Sequence, residues 1–298
     1  MDASIVIPVQ DSEAEPLMAT LDGALAQKYD RGRIEVVVVQ YGTSDHRQVI
    51  APSLERRVRV LSIDHPSPYA ARNLAVAHTA GDAILFTEPG CVPDAEWVSA
   101  HVATLDTPGV TVSVGHVAPS RPTWLVDVFM SYENVRDAWV FSCDRWQHYF
   151  GRPKNMAIAR RRFESHGPFV EVMRGADSKL VQRVARELSC SEVALTQNAI
   201  VRQQSVRGLP SCYRDRFRHA RALRIHRSAH AAPISLDQRV RLFRETLAQP
   251  GYGPGTAATL FAVLGAGILA FRLGGWAGAV GVRSSGGALE SPRHTEPR

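Results

Sequence analysis

Four short runs place polar, charged or aromatic groups directly after apolar, β-branched segments: Pro8 to Asp11, Gln40-Tyr41-Gly42, Ile63 to His65, and Thr87-Glu88-Pro89-Gly90. Neighbouring strands in one sheet would gather these groups at a single edge, the edge where open α/β sheets bind ligands. The basic residues favour an anionic ligand. Only Lys28, Lys154 and Lys179 are lysines among the 35 basic side chains. Arginine grips phosphate or carboxylate with a bidentate fork and stays charged when partly buried. No GxGxxG follows the first apolar run and no GxxxxGK[ST] occurs, which argues against a dinucleotide fingerprint and a P-loop. Cys91, Cys143, Cys190 and Cys212 are scattered without a CxxC pair. Neither a zinc site nor a redox pair is suggested, and a reducing compartment is the default.

The elements that must position these groups alternate. Ser4 to Val9, Arg33 to Val39, Val58 to Ile63 and Ala83 to Phe86 read as buried strands. Between them, helices are expected around Leu17 to Leu25 with Asp11 or Ser12 as cap, over 45–56, and from Tyr69 to Thr79. Continuous apolar strands alternating with helices imply a parallel sheet covered on both faces. Asp177 follows Gly175 and precedes a helix with Leu180, Val181 and Val184 on one face, a natural place for an N-cap. The N-terminus enters a strand almost at once, so a signal peptide is not expected.

In order and spacing, the segments resemble the family 2 glycosyltransferases, which share the GT-A fold. Ser4-Ile5-Val6-Ile7-Pro8-Val9 resembles the family's opening strand, and Ala24-Leu25-Ala26-Gln27-Lys28-Tyr29 its "lLaQ-y" helix end. Val38-Val39-Gln40-Tyr41-Gly42-Thr43-Ser44-Asp45 sits where the family has "VVDDGSTD", and Ala70-Ala71-Arg72-Asn73-Leu74-Ala75 is similar to "aaARNlG". Gly81 to Pro93 resembles "GdyilFlDaDcvp", Asn155 to Arg161 "NmairR", and Gly175-Ala176-Asp177-Ser178-Lys179-Leu180 "GEDvdL". The match runs over about residues 4–205.

The resemblance implies a GT-A nucleotide-diphospho-sugar transferase fold, an α/β architecture with a mostly parallel sheet covered by helices, plus a C-terminal helical segment. It implies a nucleotide-sugar donor held by Pro8, Gln10, Gln40, Tyr41, Gly42, Arg72 and Glu88. Asp177 is the implied base, which takes the acceptor hydroxyl's proton. Inversion follows from the resemblance, and Asn155 and Trp146 fall on the acceptor side. A divalent metal, Mg or Mn, would neutralise the leaving diphosphate, with Glu88 as its ligand. Three positions depart from the pattern. Gln40-Tyr41 replaces the acidic pair, Glu88-Pro89-Gly90 replaces Asp-x-Asp, and Ala176 replaces the Glu ahead of Asp177. Gly90 offers no side-chain oxygen. A catalytically silent GT-A-like binding or partner protein is therefore the second reading. Structural alternatives also stand for single residues: a salt-bridged Arg72, a turn at Asn155, and core packing for Trp124, Trp139 and Trp146.

The net charge of +6 is concentrated. Nine arginines face three acids between Arg214 and Glu245. Cys212 to Ala229 reads as a basic amphipathic helix that suits an anionic bilayer or a pyrophosphate. Nucleic acid is not expected, because no helix-turn-helix, zinc or RNP pattern accompanies it. Thr256 to Val282 is apolar except for Arg272, long enough to span a bilayer or lie in its interface. The expected organisation is a transferase domain over 1–205, a basic helical extension over 206–253, a membrane-associated segment over 254–283 and a disordered tail over 284–298. That organisation places the protein at the cytoplasmic face of the membrane or in the cytoplasm, acting on a glycan or lipid-linked acceptor and, as one use, in polysaccharide biosynthesis.

Overall fold

The computed structural model describes residues 1–10, 13–42, 57–225 and 232–285. Four strands, β1 (Ala3–Val9), β2 (Ile34–Tyr41), β3 (Arg59–Ile63) and β4 (Ala83–Phe86), pair in parallel around β1 and β2. β5 (Cys91–Pro93), β6 (Val112–Pro119), β7 (Met156–Ala159) and β8 (Val193–Gln203) complete one sheet in the order β3-β2-β1-β4-β7-β6-β8-β5. β7 runs antiparallel to both β4 and β6, and β5 antiparallel to β8, so the sheet is mixed rather than parallel throughout.

Every residue of β1 is buried. Val6 packs with Val37, Val39, Ile84 and Phe86 on one face, whereas Ile5, Ile7 and Val9 pack with Val36, Val38 and Leu85 on the other. Alternate side chains point to opposite faces of a strand, so both faces need a helical cover. α1 (Ala14–Leu25) and α3 (Trp97–Leu105) cover one face. α2 (Pro68–Ala77), α5 (Arg160–His166) and α6 (Ala176–Glu187) cover the other. The register sets Val9 against Gln40 and Val6 against Phe86, so the carboxyl ends of β1, β2 and β4 emerge side by side.

α4 (Trp124–Ser142), α7 (Leu209–Ile225), α8 (Leu236–Leu247) and α9 (Pro254–Ser285) build a separate helical layer. Its core contains Val126, Phe129 and Tyr132 from α4 with Cys212, Leu242, Leu260 and Val263. The C-terminal helices are thus docked on an element of the N-terminal region. α8 opens with a capping box of Ser235 and Gln238, which satisfies two of the orphaned N–H groups of its first turn. The expected helix over 45–56, the alternative caps Asp11 or Ser12, and residues 286–298 of the expected tail lie outside the described residues, whereas Ser284 and Ser285 belong to α9.

Candidate active site

The start of α2 is fixed locally. Ser67 Oγ accepts from Tyr69 N at 3.1 Å and donates to the Val172 carbonyl at 2.8 Å. Pro68 supplies a first helical residue with no N–H to satisfy. The helix then turns Tyr69 and Arg72 inward toward the strand ends. Arg72 is only 1% exposed. Its Nη2 meets Glu88 Oε1 at 2.6 Å, and its guanidinium carbon lies 5.1 Å from the centre of the Tyr69 ring. Among the described residues, the Arg72 Nε–H has no acceptor. A buried donor on a charged group is seldom left unpaired, so the position is suited to an oxygen from a bound anion.

Asp177 stands on the other side of Tyr69. The α6 cap is Gly175, at φ +83, with no side-chain cap hydrogen bond, and Asp177 lies inside the first turn. The N-cap alternative is therefore not the arrangement found. Its carboxylate instead accepts the Tyr69 hydroxyl on Oδ1, while Ser178 Oγ approaches Oδ2 at 3.4 Å. Burial pushes the Asp177 carboxyl above the usual carboxylate range, opposed by the Tyr69 hydroxyl and the Arg72 charge. The backbone at Gly151 passes so close that an added Cβ would lie 2.6 Å from Asp177 Cβ. Asp177, Tyr69, Arg72 and Glu88 thus form one contiguous chain of contacts.

The ends of β1 and β2 complete the cluster. Gln10 N donates to Glu13 Oε2 at 2.9 Å, and burial raises the Glu13 carboxyl, assisted by the nearby Glu88 charge. The Tyr41 phenol is pushed up to about 12, chiefly by burial and then by Glu13. Pro8 and Gln40 are buried in the sheet, while Gly42, at φ +117, has no described atom beyond its chain neighbours within 4 Å of where a Cβ would stand. Sequence reasoning missed Glu13, Tyr69 and Gly151. Glu13 and Tyr69 stand at helix starts beside expected strand ends. Gly151 carried no signal of its own.

Two expected acceptor contacts lie elsewhere. Asn155 is 0% exposed, and its Oδ1 accepts from Trp97 Nε1 at 2.7 Å and lies 2.8 Å from His101 Nε2. Its Nδ2 donates to the His116 and Ala199 carbonyls at 2.6 and 2.8 Å. The amide is spent inside the protein, where it ties α3, β6, β7 and β8 together. Trp146 stacks under Arg186, 5.7 Å from its guanidinium carbon, at the opposite end of α6 from Asp177.

Among the described residues, the side chains do not suit a protein-held metal. Mg²⁺ and Mn²⁺ prefer several hard oxygen ligands. Glu88 already pairs with Arg72, and Gly90, at φ +77, sits in a buried turn closed by Thr20 Oγ1 on its N–H at 3.0 Å. No group of three His, Cys, Asp or Glu side chains suited to a metal occurs among the described residues.

A family profile described as Glycosyl transferase family 2 matches residues 4–176. Glycosyltransferase AglE of Haloferax volcanii is 30% identical over 123 residues, an alignment covering 40% of this chain and 40% of that protein. Mannosyltransferase PcManGT from Pyrobaculum calidifontis, solved with GDP-Man and Mn²⁺, superimposes with a TM-score of 0.57 at 19% identity, covering 96% of this chain and 76% of its own. Glucosyl-3-phosphoglycerate synthase from Mycobacterium tuberculosis, with UDP, Mn²⁺ and glucosyl-3-phosphoglycerate, gives 0.51 at 17% identity, covering 78% and 88%.

Proposed function

The chain belongs to glycosyl transferase family 2, and from that premise we propose that it moves a sugar from a nucleotide-sugar donor to an acceptor hydroxyl by a single inverting displacement. The observation that carries this reading is the buried Arg72, which meets Glu88 through Nη2 at the strand ends while its Nε–H has no acceptor among the described residues. Arg72 takes a diphosphate oxygen of the donor. Gln40 and Tyr41 read the nucleotide in place of the family's acidic pair. Asp177, held through Oδ1 by Tyr69, receives the acceptor proton on Oδ2. The acceptor oxygen bonds to the anomeric carbon, and the bond to the diphosphate breaks with its electron pair leaving on the nucleoside diphosphate. A raised carboxyl is the stronger base, and burial supplies the rise. A metal, where the nucleotide brings one, supplies charge neutralisation. No step of this chain's residues depends on it.

The second part of the proposal is attachment to one face of a membrane. α9 is long and apolar enough to cross, but it lies along α7. Gly274 and Gly278 touch the backbone at Phe217 and Arg221, and the Tyr213 hydroxyl donates to the Val263 carbonyl at 3.0 Å. A spanning α9 would draw Arg216, Arg218 and Arg221 of α7 into hydrocarbon, at about 2.5–3.5 kcal/mol each. An in-plane helix avoids that cost. It sinks the exposed Phe261, Leu269 and Trp276 into the acyl boundary and lets Arg272 snorkel to the headgroups.

Titration of the full chain with UDP-, GDP- and dTDP-sugars tests the transferase reading. One donor class should bind saturably and release its nucleoside diphosphate. No binding by any donor leaves the catalytically silent alternative. For the membrane part, glutamate at Phe261, Leu269 and Trp276 together should abolish flotation with anionic vesicles while the protein stays folded. Unchanged flotation would refute it. Truncation before Pro254 is a poorer test, because Leu260 and Val263 are buried in the helical core.

A further inference from the structure

A cavity of about 550 Å³ opens among α4, α7, α9 and the loops that carry Lys154 and Arg174. Five Lys and Arg side chains line it against two carboxylates, Glu133 and Asp215. Glu133 is already shared by Arg136 and Arg216, each at 2.5 Å. Lys154 Nζ meets the neutral amide oxygen of Gln203 at 2.9 Å. Among the described residues, neither Lys154 nor the exposed Arg218 forms an ion pair with a carboxylate. Two of the cavity's basic side chains, Lys154 and Arg218, thus have no carboxylate partner among the described residues.

Its lining joins two chemistries. Phe271 brings in the exposed apolar face of α9. Lys154 and Arg174 lead to the transfer site. The Lys154 carbonyl accepts Thr87 Oγ1 at 3.1 Å, beside Glu88 in the chain. Arg174 immediately precedes Gly175, the cap of the helix that carries Asp177.

We propose that this cavity is the phosphate subsite for a lipid-borne acceptor. Lys154 and Arg218 hold the phosphate that links acceptor to hydrocarbon chain, Phe271 and α9 guide the chain into the bilayer, and the acceptor hydroxyl extends past Lys154 to Asp177. The proposal rests on the transferase and membrane readings and narrows the acceptor class. The phosphate is an anchor and not the nucleophile, so the bonds made and broken remain those at the acceptor hydroxyl and the anomeric carbon. A neutral lipid gives Lys154 and Arg218 no counterpart. A soluble glycan has no use for a cationic cavity walled by the apolar helix.

Flotation of the full chain with phosphatidylcholine vesicles doped with a polyprenyl monophosphate tests this. The controls are vesicles doped with neutral polyprenol and vesicles matched in charge with phosphatidylserine. Binding to the polyprenyl phosphate should exceed both controls. In the double variant Lys154→Gln, Arg218→Gln that excess should fall by about tenfold or more, the scale of lost charge-assisted hydrogen bonds, with the melting temperature kept. Equal binding to polyprenyl phosphate and phosphatidylserine would overturn the subsite, as would an excess that survives the double substitution. Inorganic phosphate that competes as effectively as the lipid would overturn the lipid assignment in favour of a free phosphate source. Donor affinity of the wild type, measured separately by calorimetry, tells failure of this subsite from failure of the transferase reading, because the vesicle measurement contains no donor.

Discussion

At the carboxyl end of the sheet, Arg72 is 1% exposed and braced by Glu88 and the Tyr69 ring. On α7, Arg214, Arg221 and Arg224 of the same residue type stand in solvent. The first setting removes water from a charge and gives it one carboxylate, leaving its Nε–H without an acceptor among the described residues. The second leaves the charges hydrated, screened by salt and individually weak. Here the arginine is buried while Glu88 is half-exposed, and leaving a buried charge without its partner is costly. Exposed arginines act together as a field toward a large anionic surface. The proposed function puts chemistry at the sheet end and docking on the helical layer, and this contrast in burial is what it draws on.

The largest effect expected from breaking this contrast is at Asp177. Asp177→Asn keeps shape but removes proton affinity, so turnover should fall by about 10²-fold or more. Its stability should move the other way. A buried carboxyl with a raised folded pKa contributes stability at pH below its unfolded value and loses it as pH rises through the folded value. At neutral pH the ionised group is therefore a cost that Asn does not carry. The melting temperature of the variant, relative to wild type, should rise as pH is raised from acid to neutral. Near-normal turnover with a proven donor and acceptor would remove Asp177 from the mechanism.

Next is the pair of arginines. Arg72→Gln should weaken donor binding by about 10- to 100-fold, the size of one or two hydrogen bonds to a charged group. Arg214→Gln, an exposed change, should leave donor affinity and melting temperature within about 0.5 kcal/mol of wild type. Equal losses at the two sites, measured by calorimetry, would erase the distinction between them.

Tyr69→Phe sharpens the buried side. The hydroxyl stabilises the ionised carboxylate. Its removal should move the acidic limb of the pH–rate profile to higher pH, with a smaller change on the plateau. A lower melting temperature with an unmoved limb would mean that Tyr69 only packs. The smallest effect concerns metal. With Glu88 committed to Arg72 and no side chain at Gly90, chelation should weaken donor binding by less than about tenfold, below the loss from Arg72→Gln. A larger chelation effect in a donor titration would reverse that order.

Much of the sheet was legible before its coordinates, because apolar runs bounded by polar residues mark strands wherever both faces are covered. β1, β2, β3 and β4 fall where that pattern placed them, α2 and the described part of α7 where helical spacing did, and α9 over the long apolar stretch. The residues after those strands were legible for the same reason. Asn155 was misplaced because a motif position does not reveal burial. The same amide serves a ligand at a surface, and four interior partners once covered.

The amino-acid pattern by itself determined which residues form strands and helices, which faces turn inward, and which groups follow the central strands, because these depend on local periodicity and on the chain's neighbours. The tertiary structure alone decided that Tyr69 and Asp177, separated by 108 positions, share a hydrogen bond, and that Arg72 spends one nitrogen on Glu88 and keeps another without a partner among the described residues. It also decided that α9 lies along the arginines of α7. Periodicity states that a face must be buried but not against what. That partner is set by strand order and helix packing, where contacts distant in sequence compete for the same space.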